Sequence, residues 1–77
     1  MNNWNSEPPL PEWIQDAYDD LDPLFNDRAS IPRKEVEDFL LANSEMIEAE
    51  GDAALALKRL LNRGWVYEVG GEIRRTD

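Results

Sequence analysis

The chain has no cysteine and no histidine among its 77 residues. Without thiols there is no disulfide to staple a small core and no thiolate metal site. Without imidazole, the commonest general base and the commonest zinc ligand are both missing. Lysine is scarce too, since the 8 basic residues are two Lys and six Arg. The longest apolar run, Ala53 to Leu57, falls far short of the roughly 20 residues that span a bilayer, so no membrane role is expected. The Asn-rich start, MNNWNSEPP, lacks the basic and apolar regions of a secretory leader, and a cytoplasmic location is the expectation. An enzyme without His or Cys would need paired carboxylates in a cleft, and a domain this short has little room for one. No catalytic residue, cofactor, metal ligand or small-molecule substrate is assigned.

What the chain has in excess is acid. Seventeen Asp and Glu stand against 8 bases, a net charge of −9. Acid excess with little lysine resembles the composition of cytoplasmic proteins from extreme halophiles. In molar salt the screening length falls to about 3 Å, and net charge would no longer forbid contact with DNA. The excess is also lopsided. Residues 1–51 hold 13 acids and 3 bases, a net of −10, while residues 52–77 hold 4 acids and 5 bases, a net of +1. The five cations of the last third therefore stand apart from the acids, a clue to partners.

Length limits the core, because a domain of this size buries only about 60–65% of the surface its unfolded chain exposes. Residues 1–10 contain Pro8 and Pro9 and little apolar material, which predicts a flexible arm with its first six or so residues disordered. Trp4 is the exception there, either idle or docked on the domain or a partner. The domain is expected over 11–77. Its first helix should open near Pro11, with Trp13 or Ile14, Ala17, Tyr18, Leu21, Leu24 and Phe25 on one stripe and an interruption at Pro23. Asp16, Asp19, Asp20, Asp22 and Asp27 cluster here, but not in the order of a calcium loop. They read as a solvated acidic face.

Ile31 precedes Pro32 and should be extended. Ser30 is a candidate N-cap for a second helix whose stripe is Val36, Phe39, Leu40, Met46 and Ile47. That helix either breaks at Asn43-Ser44 or continues to Glu50. Gly51-Asp52 is expected as the boundary, with Gly ending one helix and Asp capping the next. In the third helix Ala53, Ala54, Leu57, Leu60 and Leu61 fall within about 120° of one face. Leu55 projects roughly 160° from the centre of that stripe. Gly64 should stop the helix, and Gly70-Gly71 suits a two-residue primed turn. Such a turn pairs Val69 with Glu72, Glu68 with Ile73, Tyr67 with Arg74, Val66 with Arg75, and Trp65 with Thr76.

The order of helix, short strand, helix, turn, helix and hairpin, with the stretch LKRLLNRGWVYEVGGEIRRT, resembles the winged helix-turn-helix superfamily over residues 12–76. The expected fold class is mainly α with a small β-sheet: three helices, a C-terminal β-hairpin wing and a short extra strand near Ile31. The resemblance implies that helix 52–63 is the one DNA-binding members set in the major groove, with 69–72 as the wing tip.

Two functions stay open. The first is a nucleic-acid-binding module, a small regulator or accessory factor, meeting double-stranded DNA through Lys58, Arg59, Asn62, Arg63, Arg74 and Arg75. The second is a protein-interaction module that does not bind DNA. It is favoured by the overall acidity, by an Ala-rich first turn that offers no bidentate donor to a base edge, and by exposed Leu55. Its contact residues would be Leu55 and Tyr67. Tyr67 over Arg74 is either a structural cation–π pair or an aromatic-basic contact for nucleic acid.

Overall fold

Pro11 opens the first helix of the computed structural model, which describes residues 9–76. In α1 (Glu12–Asp20) the Pro11 carbonyl accepts from the N–H groups of Ile14 (3.0 Å) and Gln15 (3.1 Å). The Gln15 side-chain amide donates back to the Leu10 carbonyl at 2.7 Å. Leu10, counted with the arm in the sequence reading, is thereby drawn into the core. Trp4 and the rest of the expected disordered stretch lie outside the described residues. Pro23 has no N–H to continue the ladder, so α1 stops and a single further turn, α2 (Asp22–Phe25), forms around it. Ile14, Ala17, Leu21 and Phe25 are the buried stripe of this unit, at spacings of three and four.

The two-residue strand β1 (Ile31–Pro32) follows. Proline is tolerated there because β1 is an edge strand. Helix α3 (Arg33–Asn43) starts directly after it, with Pro32 at the cap position. Ser30 is not the cap; its hydroxyl donates to Glu72 Oε1 at 2.6 Å across the sheet. Val36 and Leu40 are fully buried on α3. The helix breaks at Asn43-Ser44, the first of the two alternatives: the Asn43 amide donates to the Phe39 carbonyl at 2.9 Å, and Ser44 is extended. Met46 therefore never joins the stripe and is 62% exposed, while Ile47, whose N–H reaches the Ser44 carbonyl at 3.3 Å across a turn, is buried.

Helix α4 (Glu50–Asn62) begins two residues before the expected Asp52. Ala49 holds the cap position with no side-chain bond, and its carbonyl accepts from Asp52 (3.0 Å) and Ala53 (3.3 Å). Gly51 lies inside the first turn and ends nothing, since α3 has already ended at Asn43. The buried face is Ala53, Ala56, Leu57 and Leu60, with Ala54 and Leu61 only half-buried. The stripe is thus rotated from the expected one, Ala56 taking the place of Ala54. Gly64, at φ +78°, terminates α4. Its N–H reaches Leu61 (3.1 Å) and that of Trp65 reaches Leu60 (3.0 Å), the paired bonds of a Schellman stop.

Strands β2 (Val66–Val69) and β3 (Glu72–Arg75) close on Gly70 and Gly71, whose φ values of +60° and +82° make the primed turn. The four pairings inside the hairpin are those read from the sequence, and Thr76 N–H reaches the Trp65 carbonyl at 3.2 Å. The antiparallel sheet has the order β1-β3-β2, with Ile31 opposite Ile73 and Pro32 opposite Glu72. Arg33 fastens helix to hairpin. Its N–H donates to the Gly71 carbonyl at 3.0 Å and its guanidinium to Glu68 at 3.0 Å and Glu37 at 3.2 Å. Three helices and one extra turn thus enclose, with a three-stranded sheet, a single apolar core. Among the described residues no helix is long and apolar enough to cross a membrane.

Candidate nucleic-acid interface

The face of α4 turned away from the core is set by the burial of Ala53, Ala56, Leu57 and Leu60. At about 100° per residue, Leu55 and Asn62 lie near the middle of the opposite face, with Lys58 to one side and Arg59 to the other. All four are exposed, Leu55 at 40%. Arg63, the C-cap residue, is half-buried and flanks the group. The phase error moved Ala54, Ala56 and Leu61; of the polar residues expected outward, Lys58, Arg59 and Asn62 are exposed and Arg63 is half-buried. Arg59 also lies in the last turn, where a cation is favoured by the C-terminal end of the helix dipole.

Bases elsewhere are matched with acids. Arg28 makes a two-pronged contact to Glu35, Lys34 meets Asp38 at 3.3 Å, Arg33 bridges Glu37 and Glu68, and Arg75 meets Asp22 at 2.6 Å. The contacts to Glu35 and Asp38 hold Arg28 and Lys34 above their ordinary pKa values, the hydrogen bond being the larger cause in each. Lys58, Arg59 and Arg74 make no ion pair among the described residues. In a chain with twice as many acids as bases, three cations without a carboxylate are the conspicuous feature.

The hairpin divides its candidates. Tyr67 (44% exposed) and Arg74 are cross-strand neighbours on the outer face of the sheet. Among the described residues the cation over a ring is Arg75 above Phe25, 5.3 Å from the centroid, rather than Arg74 above Tyr67. Arg75 is accordingly half-buried and engaged within the domain. Trp65 packs edge-on against Tyr18, with centroids 5.0 Å apart and planes at 84°, at the base of the hairpin.

A depression of about 260 Å³ beside the hairpin is lined by Phe25, Arg28, Ala29, Tyr67, Arg74 and Arg75. It joins Arg28 to the hairpin residues, a neighbour the sequence reading missed. The available signal was β1: pairing Ile31 with the hairpin carries the segment just before it alongside β3. The acids of α1 behave separately. Asp16, Asp19 and Asp20 share another depression with Asn43, Ser44, Glu45 and Met46, and no group of acids among the described residues is placed to hold a metal ion.

No family model, curated protein or solved structure matches this chain. Its own residues must carry the functional argument.

Proposed function

We propose that the chain is a non-enzymatic winged-helix module that binds double-stranded DNA through the outer face of α4, assisted by Arg74 on the hairpin. The order of elements, the three-stranded sheet β1-β3-β2 and the primed turn support the fold assignment. The observation that carries the function is that Lys58 and Arg59 are exposed on one helix face without a carboxylate partner among the described residues. Cations already paired lose part of their pull on phosphate; these two keep it. Asn62, between them, has the amide donor and acceptor that can read a base edge in the major groove. Each phosphate contact contributes about −0.9 to the slope of log K against log salt. Three contacts then give a slope near about −2.7, a weak and salt-sensitive association.

The test is an amide NMR titration of the full chain with mixed-sequence duplex DNA, from low to molar salt. Shifts confined to residues 55–63 and 74, shrinking with salt, are expected. A duplex that moves no amide at any salt where the domain is folded refutes the assignment. One observation favours a second reading, a protein-binding module: Leu55 is 40% exposed at the centre of that same face. An apolar residue flanked by Arg is the composition of a protein interface core. Under that reading, a Leu55→Asp chain folds normally but loses its partner.

A further inference from the structure

We propose that the depression beside the hairpin is a binding site for the phosphate group of a small phosphomonoester, separate from the α4 face. Its lining residues include three arginines, Arg28, Arg74 and Arg75, together with Tyr67, and no acidic residue. In a chain of net charge −9, that convergence needs an explanation beyond average surface composition. The two acids nearest in the bonding network, Glu35 and Asp22, grip Arg28 and Arg75 without contributing to the lining. They fix the directions in which those two guanidinium groups point. Stacking on Phe25 fixes Arg75 further. Arg74 has no ion pair among the described residues and keeps its full donor set.

The chemistry of the lining selects its ligand. Guanidinium forks match the oxygens of phosphate and carboxylate alike. Arg74 offers an open fork, and Arg28 and Arg75, already held by Glu35 and Asp22, add neighbouring donors. Donors from three side chains suit a tetrahedral group that presents three oxygens, whereas a planar carboxylate has only two. The volume, about 260 Å³, lies just below the range of drug-sized ligand pockets and suits a phosphate with a small substituent. An exposed Tyr67 leaves a ring against which a planar substituent can rest. The site does not depend on duplex binding at α4.

The experiment is a titration of the full chain with inorganic phosphate, followed by amide NMR, with sodium chloride at matched ionic strength as the control arm. Saturable shifts on residues 28, 29, 67, 74 and 75 are expected. Arg74→Gln and Arg28→Gln should each weaken phosphate at least tenfold, and Arg59→Gln on α4 should leave it unchanged. Arg74 is exposed and makes no ion pair among the described residues, so its substitution leaves the fold in place. Shifts reproduced by chloride, or affinity untouched by both pocket substitutions, overturn the proposal. A second arm with duplex DNA keeps the two ideas apart. Phosphate binding without duplex binding removes only the DNA assignment, and duplex shifts on α4 without phosphate binding remove only the pocket.

Discussion

Truncating the leucines of α4 one at a time tests the helix phase on which the candidate interface depends. Leu57 is fully buried, Leu61 half-buried and Leu55 40% exposed. Leu57→Ala loses the transfer energy of the side chain and leaves a cavity that the neighbouring α4, α1 and α3 packing fills only in part. Such sites lose about 2.7–5 kcal/mol. Leu61→Ala removes a side chain that is partly exposed and should cost less, about 1–2 kcal/mol. Leu55→Ala should stay within about 0.5 kcal/mol. At about 0.05–0.15 kcal/mol per residue a domain of this length holds about 4–12 kcal/mol in all, so Leu57→Ala removes a large share. Urea unfolding followed by far-UV circular dichroism, at one fixed salt concentration, reads all three from the midpoint at unchanged slope. Equal losses at 57 and 61 would restore the stripe that includes Ala54 and Leu61 and refute the rotation described above. A large loss at 55 would mean that α4 does not present Leu55, Lys58, Arg59 and Asn62 outward at all.

Other outcomes can be checked with the same chain. Gly51→Ala should stabilise by about 0.4–1 kcal/mol, because Gly51 is helical and nothing lies within 4 Å of an added Cβ; a loss in urea melts would put it back at a helix boundary. Gly64→Ala has equal space but a φ of +78°, and should cost about 1–2 kcal/mol from backbone strain alone. Asp22→Asn breaks the ion pair with Arg75 at a side chain 73% exposed, and should change stability by no more than about 1 kcal/mol; a larger loss would make that pair structural. Arg59→Ala should lower the salt slope of duplex binding by about one, evenly across sequences; an unchanged slope removes α4 from the contact.

The hairpin was the most legible part of the chain, because its signals are local. Gly70-Gly71 dictates the turn, the turn dictates the register, and Gly64 fixes where the preceding helix stops. Pro23 and the strand at Ile31 were legible for the same reason: proline and the residue before it have few conformations. The start and phase of α4 were not. Asp52 is a good cap by composition, but the helix starts two residues before it, with Ala49 at the cap position and no side-chain bond there. Phase was ambiguous because Leu57 and Leu60 fix the buried side only coarsely, and alanines on either flank fit equally well. Ala56 was chosen by packing against the other elements, which no local pattern records. Met46 failed because the stripe was carried past a break that the Asn43 side chain helps to make. The outward set of Leu55, Lys58, Arg59 and Asn62 was legible, since exposure tolerates an error of 40° or so in phase. Arg28 and the Phe25 contact of Arg75 were not, because each depends on a partner about 45 to 50 residues away along a chain whose sheet register must first be known.

Arg33 gives the hairpin a mechanical character. A β-ribbon of two four-residue strands would ordinarily flap about its base. Here its tip is tied through Gly71 and one flank through Glu68 to a single residue at the first turn of α3. The ribbon therefore behaves as a braced lever: it cannot swing without breaking bonds at Arg33. Anything that pulls on the hairpin pulls on α3, and the exchange rate of the Arg33 amide proton is the natural gauge of that load.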